Sequence, residues 1–98
     1  MYVILTSKPG QFRTEITDGV RPLESYDYLF YGSKKAHFVI AELLADTKIR
    51  IIDETWSRPV VNDVPSKMLE KFSTPEDAFA ELRSLTNFGN MITTLEKC

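Results

Sequence analysis

Apolar and polar residues alternate through several short stretches of this chain, and a period of two predicts β-strands. Residues 2–6 form a short apolar run, and residues 12–17 alternate strictly. The sequence KPG at residues 8–10 predicts a turn between them, because proline fixes φ and glycine accepts a positive φ. The beginning of the chain therefore predicts a β-hairpin, which we expect Gly19 and Pro22 to end.

The run from Tyr26 to Trp56 has two interpretations. In the first it is an antiparallel meander, whose strands would cover residues 26–31, 37–43 and 48–54. In the second, Ser33 caps a helix over residues 34–45, and the segment is a β-α-β unit. The aromatic and β-branched sequence FVI at residues 38–40 favours a strand, and a crossover helix usually goes with a sheet covered on both faces. We favour the meander and keep the β-α-β unit as the alternative.

The sequence STPED at residues 73–77 carries the signals of a helix start. Serine or threonine accepts bonds from the first free N–H groups, proline suits the first helical position, and acidic residues complement the helix dipole. Apolar residues then recur at helical spacing, at Ala78, Phe79, Leu82 and Leu85. Asn87 and Gly89 are typical of a helix end. The pattern predicts a helix over about residues 75–86.

The remaining segments give weaker patterns. Residues 55–66 contain two prolines and no periodicity, which predicts a surface loop. Residues 66–72 predict one or two helical turns, and the side chains expected to face inward are Met68, Leu69 and Phe72. Residues 91–96 predict a final strand. We therefore expect residues 1–98 to form a single α+β domain, with a mostly antiparallel sheet of five or six strands and one main helix packed on one face.

Composition narrows the functional classes. Of the 98 residues, 43% are hydrophobic, 27% are charged and 11% are aromatic, which is typical of a globular domain. The net charge of −2 lacks the basic excess that phosphate contacts require, and this argues against a nucleic-acid partner. One cysteine cannot form an internal disulfide, and no stretch has the length of a membrane span or the pattern of a signal peptide. We expect a cytoplasmic protein without a membrane partner.

Few side chains in this sequence suit catalysis. His37 is the single histidine and Cys98 the single cysteine, and their spacing along the chain matches no zinc site. The four glycines are scattered, so no phosphate-binding loop is expected. An acid–base set of Tyr28, Arg50 and Asp53 is conceivable, but no motif joins these residues. We therefore predict a protein that is not an enzyme and has no catalytic residue, cofactor or metal.

Two groups of residues are candidates for binding. Trp56 and Arg58 belong to residue types enriched at interface hot spots, although a lone tryptophan on a proline-containing loop more often closes the edge of a core. The predicted protein-binding residues are Trp56, Arg58 and Val60, with Tyr31, Lys34 and Lys35 as a rim. The leading hypothesis is a small accessory protein that binds a larger cytoplasmic protein or enzyme complex, and a homodimer through an edge strand is plausible.

The rival hypothesis is a regulatory domain that binds a small ligand between the sheet and the helix. Its site would be lined by Tyr26, Tyr28 and Phe30, which share one face of a predicted strand. The commoner role for such rings is core packing under the helix. The docking hypothesis itself depends on residues 36–43 being extended.

Overall fold

Two antiparallel sheets and one α-helix make up the fold. The computed structural model describes residues 1–87 and 93–98. In this part the strands are β1 (Tyr2–Ser7), β2 (Phe12–Glu15), β3 (Val20–Phe30), β4 (Ser33–Leu43), β5 (Lys48–Asp53), β6 (Val60–Pro65) and β7 (Thr93–Lys97), the helix is α1 (Pro75–Thr86), and a single 3₁₀ turn covers Ser66–Met68. The predicted α+β class is confirmed.

The strands form two sheets rather than the single sheet expected. The predicted hairpin of β1 with β2 is wrong, because β1 pairs with β4 and β2 with β5. The predicted meander holds only for β3 and β4, since β5 pairs with β2 and β6. Sheet 1 has the order β1-β4-β3-β7, and sheet 2 has the order β2-β5-β6. One core cluster joins sheet 1 to α1, and a second cluster joins the opposite face of sheet 1 to β5 of sheet 2. Sheet 1 is therefore the middle layer, with the helix on one side and sheet 2 on the other.

β4 is buried on both of its faces. Its residues Ala36, Phe38 and Ile40 belong to the helix-side core, while Val39, Ala41 and Leu43 belong to the core shared with sheet 2. A strand covered on both sides loses its polar alternation, which explains why the sequence of this segment resembles an amphipathic helix. The predicted extended conformation of residues 36–43 is confirmed, and the alternative helix over residues 34–45 is wrong.

Helix α1 begins and is buried as its sequence predicts. The Thr74 side chain accepts a hydrogen bond from the Asp77 N–H at 3.1 Å, and Pro75 occupies the first turn. Ala78 and Leu82 have no exposed surface and rest with Phe79 on sheet 1, whereas Leu85, which the sequence assigned to the same stripe, is 57% exposed. Among the described residues, no helix combines the length and the apolar character that crossing a bilayer requires.

Two irregularities in the pairing of β3 with β4 decide which side chains reach which core. The register shifts at Leu23, between Pro22 and Glu24, and again at Lys35, opposite the step from Tyr28 to Leu29. Each extra residue reverses the faces on its strand beyond that point. Val20 therefore reaches the core under sheet 2, whereas Tyr26 reaches the core under α1.

Several predicted boundaries are corrected by the structure. The expected loop over residues 55–66 contains β6, which pairs with β5 along its whole length. β3 begins at Val20 and passes through Pro22, because the proline stands beside the bulge, where no regular ladder bond is required of it.

Smaller differences concern single side chains and strand ends. Met68 was expected to face inward but is 73% exposed, whereas Leu69 and Phe72 pack against the two cores. The final strand covers Thr93–Lys97, and the predicted start of that strand at Met91 lies outside the described residues.

Candidate functional site

The tip of the β5–β6 hairpin exposes large apolar side chains. Residues 54–59, which join the two strands, are all exposed. Trp56 is 68% exposed, and Val60 and Val61 at the start of β6 are 45% and 55% exposed. Trp56 therefore does not close the edge of the core, which was the commoner role expected for it. The predicted docking residues Trp56, Arg58 and Val60 all lie on this one surface, which we call the hairpin tip.

Asp53 organises the hairpin tip. Its Oδ1 accepts a hydrogen bond from the Thr55 N–H at 2.9 Å and a second from the Thr55 hydroxyl. These bonds, the hydroxyl first, lower the pKa of the Asp53 carboxyl, and a weaker side-chain hydrogen bond from Trp56 acts in the same direction. The carboxylate therefore holds the backbone turn, while the Trp56 ring itself faces solvent.

The turn between β3 and β4 lies at the same end of the molecule as the hairpin tip. The Glu54 N–H donates to the Gln11 carbonyl at 2.7 Å, so the hairpin tip contacts the connection between β1 and β2. Ser7, at the end of β1, pairs with His37 near the start of β4. The strand register therefore places the β3–β4 turn and the hairpin tip at a common end, which we call the turn end.

Tyr31 occupies an unusual backbone position in the β3–β4 turn. Phe30 pairs with Ser33, and the two residues between them, Tyr31 and Gly32, have φ of 51° and 77°. A two-residue hairpin turn with both φ values positive normally carries asparagine, aspartate or glycine, so tyrosine is strained here. Its ring is 59% exposed and stands edge-on to Phe30 at 4.7 Å between centroids.

The two lysines of the predicted rim differ in their surroundings. Lys34 and Lys35 are both exposed, and both lie at the turn end. Lys34 Nζ is 3.2 Å from Asp27 Oδ1, whereas Lys35 is the extra residue of the bulge. The rim of Tyr31, Lys34 and Lys35 is therefore solvent-accessible, with one of its two ammonium groups engaged in an ion pair.

The rival ligand-binding residues lie mainly in the core beside α1. Tyr26 is 6% exposed, and its ring stands 5.2 Å from that of Phe79. Burial, followed by the hydrogen bond to Glu24, raises the pKa of the Tyr26 hydroxyl to about 12. Tyr28 packs against the same core, and Phe30 lies half-buried against Tyr31.

A groove of about 280 Å³ opens beside Tyr26, and it is lined by Glu24, Tyr26, Pro75, Glu76 and Phe79. Ligand binding there stays a prediction. The acid–base set of Tyr28, Arg50 and Asp53 is dispersed, because Tyr28 belongs to sheet 1 while the other two belong to sheet 2. Arg50 instead pairs with Asp63, with 3.8 Å between Arg50 Nε and Asp63 Oδ1.

A polar cluster on sheet 1 was missed by sequence reasoning. Asp27 Oδ1 lies 2.8 Å from His37 Nδ1, and Cys98 lies beside both. A regular hairpin with its turn at residues 31–32 would place Asp27 opposite Ala36, and only the bulge at Lys35 brings it opposite His37. The sequence signals the turn, through Gly32, but it does not signal the bulge.

Comparisons of this chain with protein-family models, with curated proteins and with solved structures each return no match. The function proposed below therefore rests on the side chains and geometry of this molecule.

Proposed function

We propose that this chain is a small, non-enzymatic accessory protein of the cytoplasm that binds a larger protein or enzyme complex through the hairpin tip. The observation that carries the proposal is the 68% exposure of Trp56, on a turn that Asp53 holds in place. The absence of an internal disulfide, which follows from the single cysteine, is compatible with a reducing compartment.

Exposed tryptophan is unfavourable in a free monomer and valuable in a complex. The indole offers one of the largest apolar surfaces of any side chain, and its burial at the centre of an interface can contribute ~2 kcal/mol or more. The bonds that Asp53 accepts from the Thr55 N–H and hydroxyl restrain the turn before any partner binds. A restrained turn loses less conformational entropy on association, so more of the contact energy appears as affinity.

The strand next to Trp56 offers a second kind of contact. β6 is an edge strand of sheet 2, and within the described residues no strand pairs with its outer side. Val60 and Val61 project from this edge with about half of their surface exposed. An extended segment of a partner can add to such an edge by main-chain hydrogen bonds, while a pocket of the same partner receives Trp56.

The charges at the turn end favour a partner of a particular kind. Arg58 on the hairpin tip and Lys35 on the rim are both exposed. Cations around an apolar centre accelerate association with an acidic surface and fix its orientation. We therefore expect the partner to present an apolar pocket bordered by aspartate or glutamate.

The test compares two equally exposed apolar residues at opposite ends of the molecule. Met68, which is 73% exposed, follows β6 at the end away from the hairpin tip, and it serves as the matched control for Trp56. Tagged wild type, Trp56→Ala and Met68→Ala are used to recover partners from the native cytosol, and the affinity for the recovered partner is then measured by calorimetry.

We expect Trp56→Ala to lose the partner that wild type and Met68→Ala both retain, with affinity lowered at least about tenfold. Equal recovery by all three forms would contradict the hairpin tip as the binding site. Sedimentation of the purified chain over a range of concentrations tests the other arrangement, in which the hairpin tip binds a second copy of the chain. A dimer that Trp56→Ala dissociates would identify a second copy as the partner.

A further inference from the structure

Asp27, His37 and Cys98 bring three kinds of metal ligand to one place on sheet 1. A carboxylate oxygen, an imidazole nitrogen and the thiol sulfur all lie within 4.8 Å of one another. Asp27 and His37 are half-buried, and Cys98 is exposed. These residues are far apart in the sequence, and for this reason their spacing along the chain predicted no metal site.

The strand pairing fixes this cluster. Asp27 on β3 pairs with His37 on β4 in register, and the Cys98 N–H donates to the Ser25 carbonyl at 2.9 Å, which continues the pairing of β7 with β3. Neighbours of this kind on one face of an antiparallel sheet have their side chains close together. β3 and β4 thus contribute one ligand each. The third comes from Cys98, the residue that follows β7, which is held to β3 by its backbone hydrogen bond to Ser25.

The bulge at Lys35 completes the arrangement. Lys34 and His37 are three positions apart and would lie on opposite faces of a regular strand, but the extra residue between them returns both to the face of Asp27. Asp27 Oδ1 consequently lies 3.2 Å from Lys34 Nζ as well as 2.8 Å from His37 Nδ1. The Lys34 ammonium would therefore compete with a bound cation for the Asp27 carboxylate.

We propose that Asp27, His37 and Cys98 form a zinc site, in which one carboxylate oxygen, one imidazole nitrogen and the thiolate bind the ion and a water molecule completes a tetrahedron. Zinc binds each of these donor types, the thiolate sulfur, the imidazole nitrogen and the carboxylate oxygen. On binding, the thiol gives its proton to solvent, and the neutral imidazole keeps its single proton on the nitrogen that faces away from the ion.

The dimensions of the cluster suit this ion. With zinc bonds of about 2.0–2.3 Å, the ligand atoms of a tetrahedron lie roughly 3.3–3.8 Å apart. The separation of 2.8 Å between Asp27 Oδ1 and His37 Nδ1 must widen slightly, and the separations of up to 4.8 Å within the cluster must shorten. Sulfur lies about 3.5 Å from nitrogen or oxygen in such a tetrahedron, so the larger adjustment is at most about 1.3 Å.

The surrounding charges favour a divalent cation. Glu96 pairs directly with Asp27 across β3 and β7, so a second carboxylate borders the cluster. With the Cys98 thiolate, three negative charges then face one positive charge, that of Lys34. A dication that displaces the Lys34 ammonium therefore meets a net attraction, while Lys34 itself lowers the affinity by competing for Asp27.

The test is a titration of the reduced full-length chain with cobalt(II), which takes tetrahedral zinc sites and absorbs light. Because the chain has one cysteine and one histidine, a thiolate-to-cobalt band reports Cys98 alone, and the histidine ring signals in an NMR spectrum report His37 alone. We expect both signals to change together and to saturate at one cobalt per chain. Added zinc should then remove the absorption by replacing cobalt.

Variants separate a metal site from a surface hydrogen-bond network. Cys98→Ser should abolish the band and lower zinc affinity more than about 100-fold, which exceeds the 10–100-fold cost of losing an outer-sphere partner. Asp27→Asn should lower the affinity at least about tenfold. Lys34→Gln should raise it, and Lys35→Gln, the matched removal of one neighbouring positive charge outside the ion pair with Asp27, should have a smaller effect.

Three results would overturn the site. The first is the absence of a thiolate band while circular dichroism shows a folded chain. The second is saturation at one cobalt per two chains with a metal-dependent dimer, which would mean that Cys98 residues of two copies share the ion. The third is equal zinc affinity of Lys34→Gln and Lys35→Gln, since only Lys34 contacts a proposed ligand.

Discussion

Large apolar side chains are buried in the core beneath α1 and exposed at the hairpin tip. Under the helix, Ile40 and Leu82 have no exposed surface and Tyr26 keeps 6%. At the hairpin tip, Trp56 keeps 68% of its surface exposed and Val61 keeps 55%. Burial of the first group stabilises the folded state, whereas the second group would be buried only in the complex that we propose. Stability and binding should therefore be separable by mutation, and four predictions examine that separation.

The largest expected effect is on the core. Leu82→Ala should lower the free energy of unfolding by about 3–4 kcal/mol, because it removes buried methyl groups and leaves a cavity between the helix and sheet 1. Leu85→Ala on the same helix is the control, since Leu85 is 57% exposed and its loss should cost less than about 0.5 kcal/mol. Urea denaturation measures both. Similar losses for the two variants would mean that α1 does not pack as described.

Alkaline pH probes the same core through Tyr26. Its pKa is raised to about 12 in the folded chain, against about 10 in an unfolded chain, so the unfolded state loses this proton first. The contribution of the protonated Tyr26 hydroxyl to the free energy of unfolding is complete below pH ~10. It is lost as the pH rises toward ~12, and the loss is up to about 2 kcal/mol. Urea denaturation from pH 8 upward should show a shallower decline for Tyr26→Phe. Identical curves for wild type and Tyr26→Phe would contradict the expected role of Tyr26.

A smaller effect, of opposite sign, is expected at the β3–β4 turn. Tyr31→Asn should stabilise the chain by about 1 kcal/mol, because asparagine accepts the left-handed conformation that Tyr31 is forced to adopt. Thermal unfolding of the two forms measures the difference. A loss of stability would show that the contact between the Tyr31 and Phe30 rings outweighs the backbone strain.

The smallest effect on stability is expected at Trp56 itself. Trp56→Ala should change the free energy of unfolding by less than about 0.5 kcal/mol, because most of the ring already faces solvent. The same variant is expected to lose the protein partner, so the comparison is sharpest when both measurements are made on one preparation. A destabilisation above about 2 kcal/mol would place the indole in the core and remove the basis of the docking proposal.

The sequence predicted the elements whose signals are local. Helix α1 has its cap at Thr74, its proline and its apolar stripe in one continuous run, and each acts as expected except Leu85 of the stripe, which is exposed. The extended conformation of β4 follows from its β-branched centre, although burial on both faces obscured the period of two. The sequence of β6 lacks an alternation of apolar and polar residues, because nearly all of the strand is exposed, and a proline stands directly before it. The strand could therefore not be predicted.

What sequence reasoning missed depends on pairing between strands. The existence of two sheets requires knowing that β2 and β5 pair with each other and not with β4. The cluster of Asp27, His37 and Cys98 requires the bulge at Lys35 and the position of β7, neither of which has a local signature. The sequence also did not predict whether Trp56 is exposed, because a tryptophan in a loop can either pack on the edge of a core or face solvent.

The bulges at Leu23 and Lys35 have a consequence for how this chain can vary in length. At each bulge, one residue of one strand has no partner on the other, and regular pairing resumes beyond it. Insertion or deletion of a residue at this point, which we call a joint, therefore changes the twist of the hairpin but keeps the pairing that builds the two cores. Between these two bulges, such an event would slip the strand register, so that Tyr26 and Phe38 would no longer both face the core beneath α1. We expect homologous chains of different length to differ at these joints and in the turns, with the stretch between the joints constant in length.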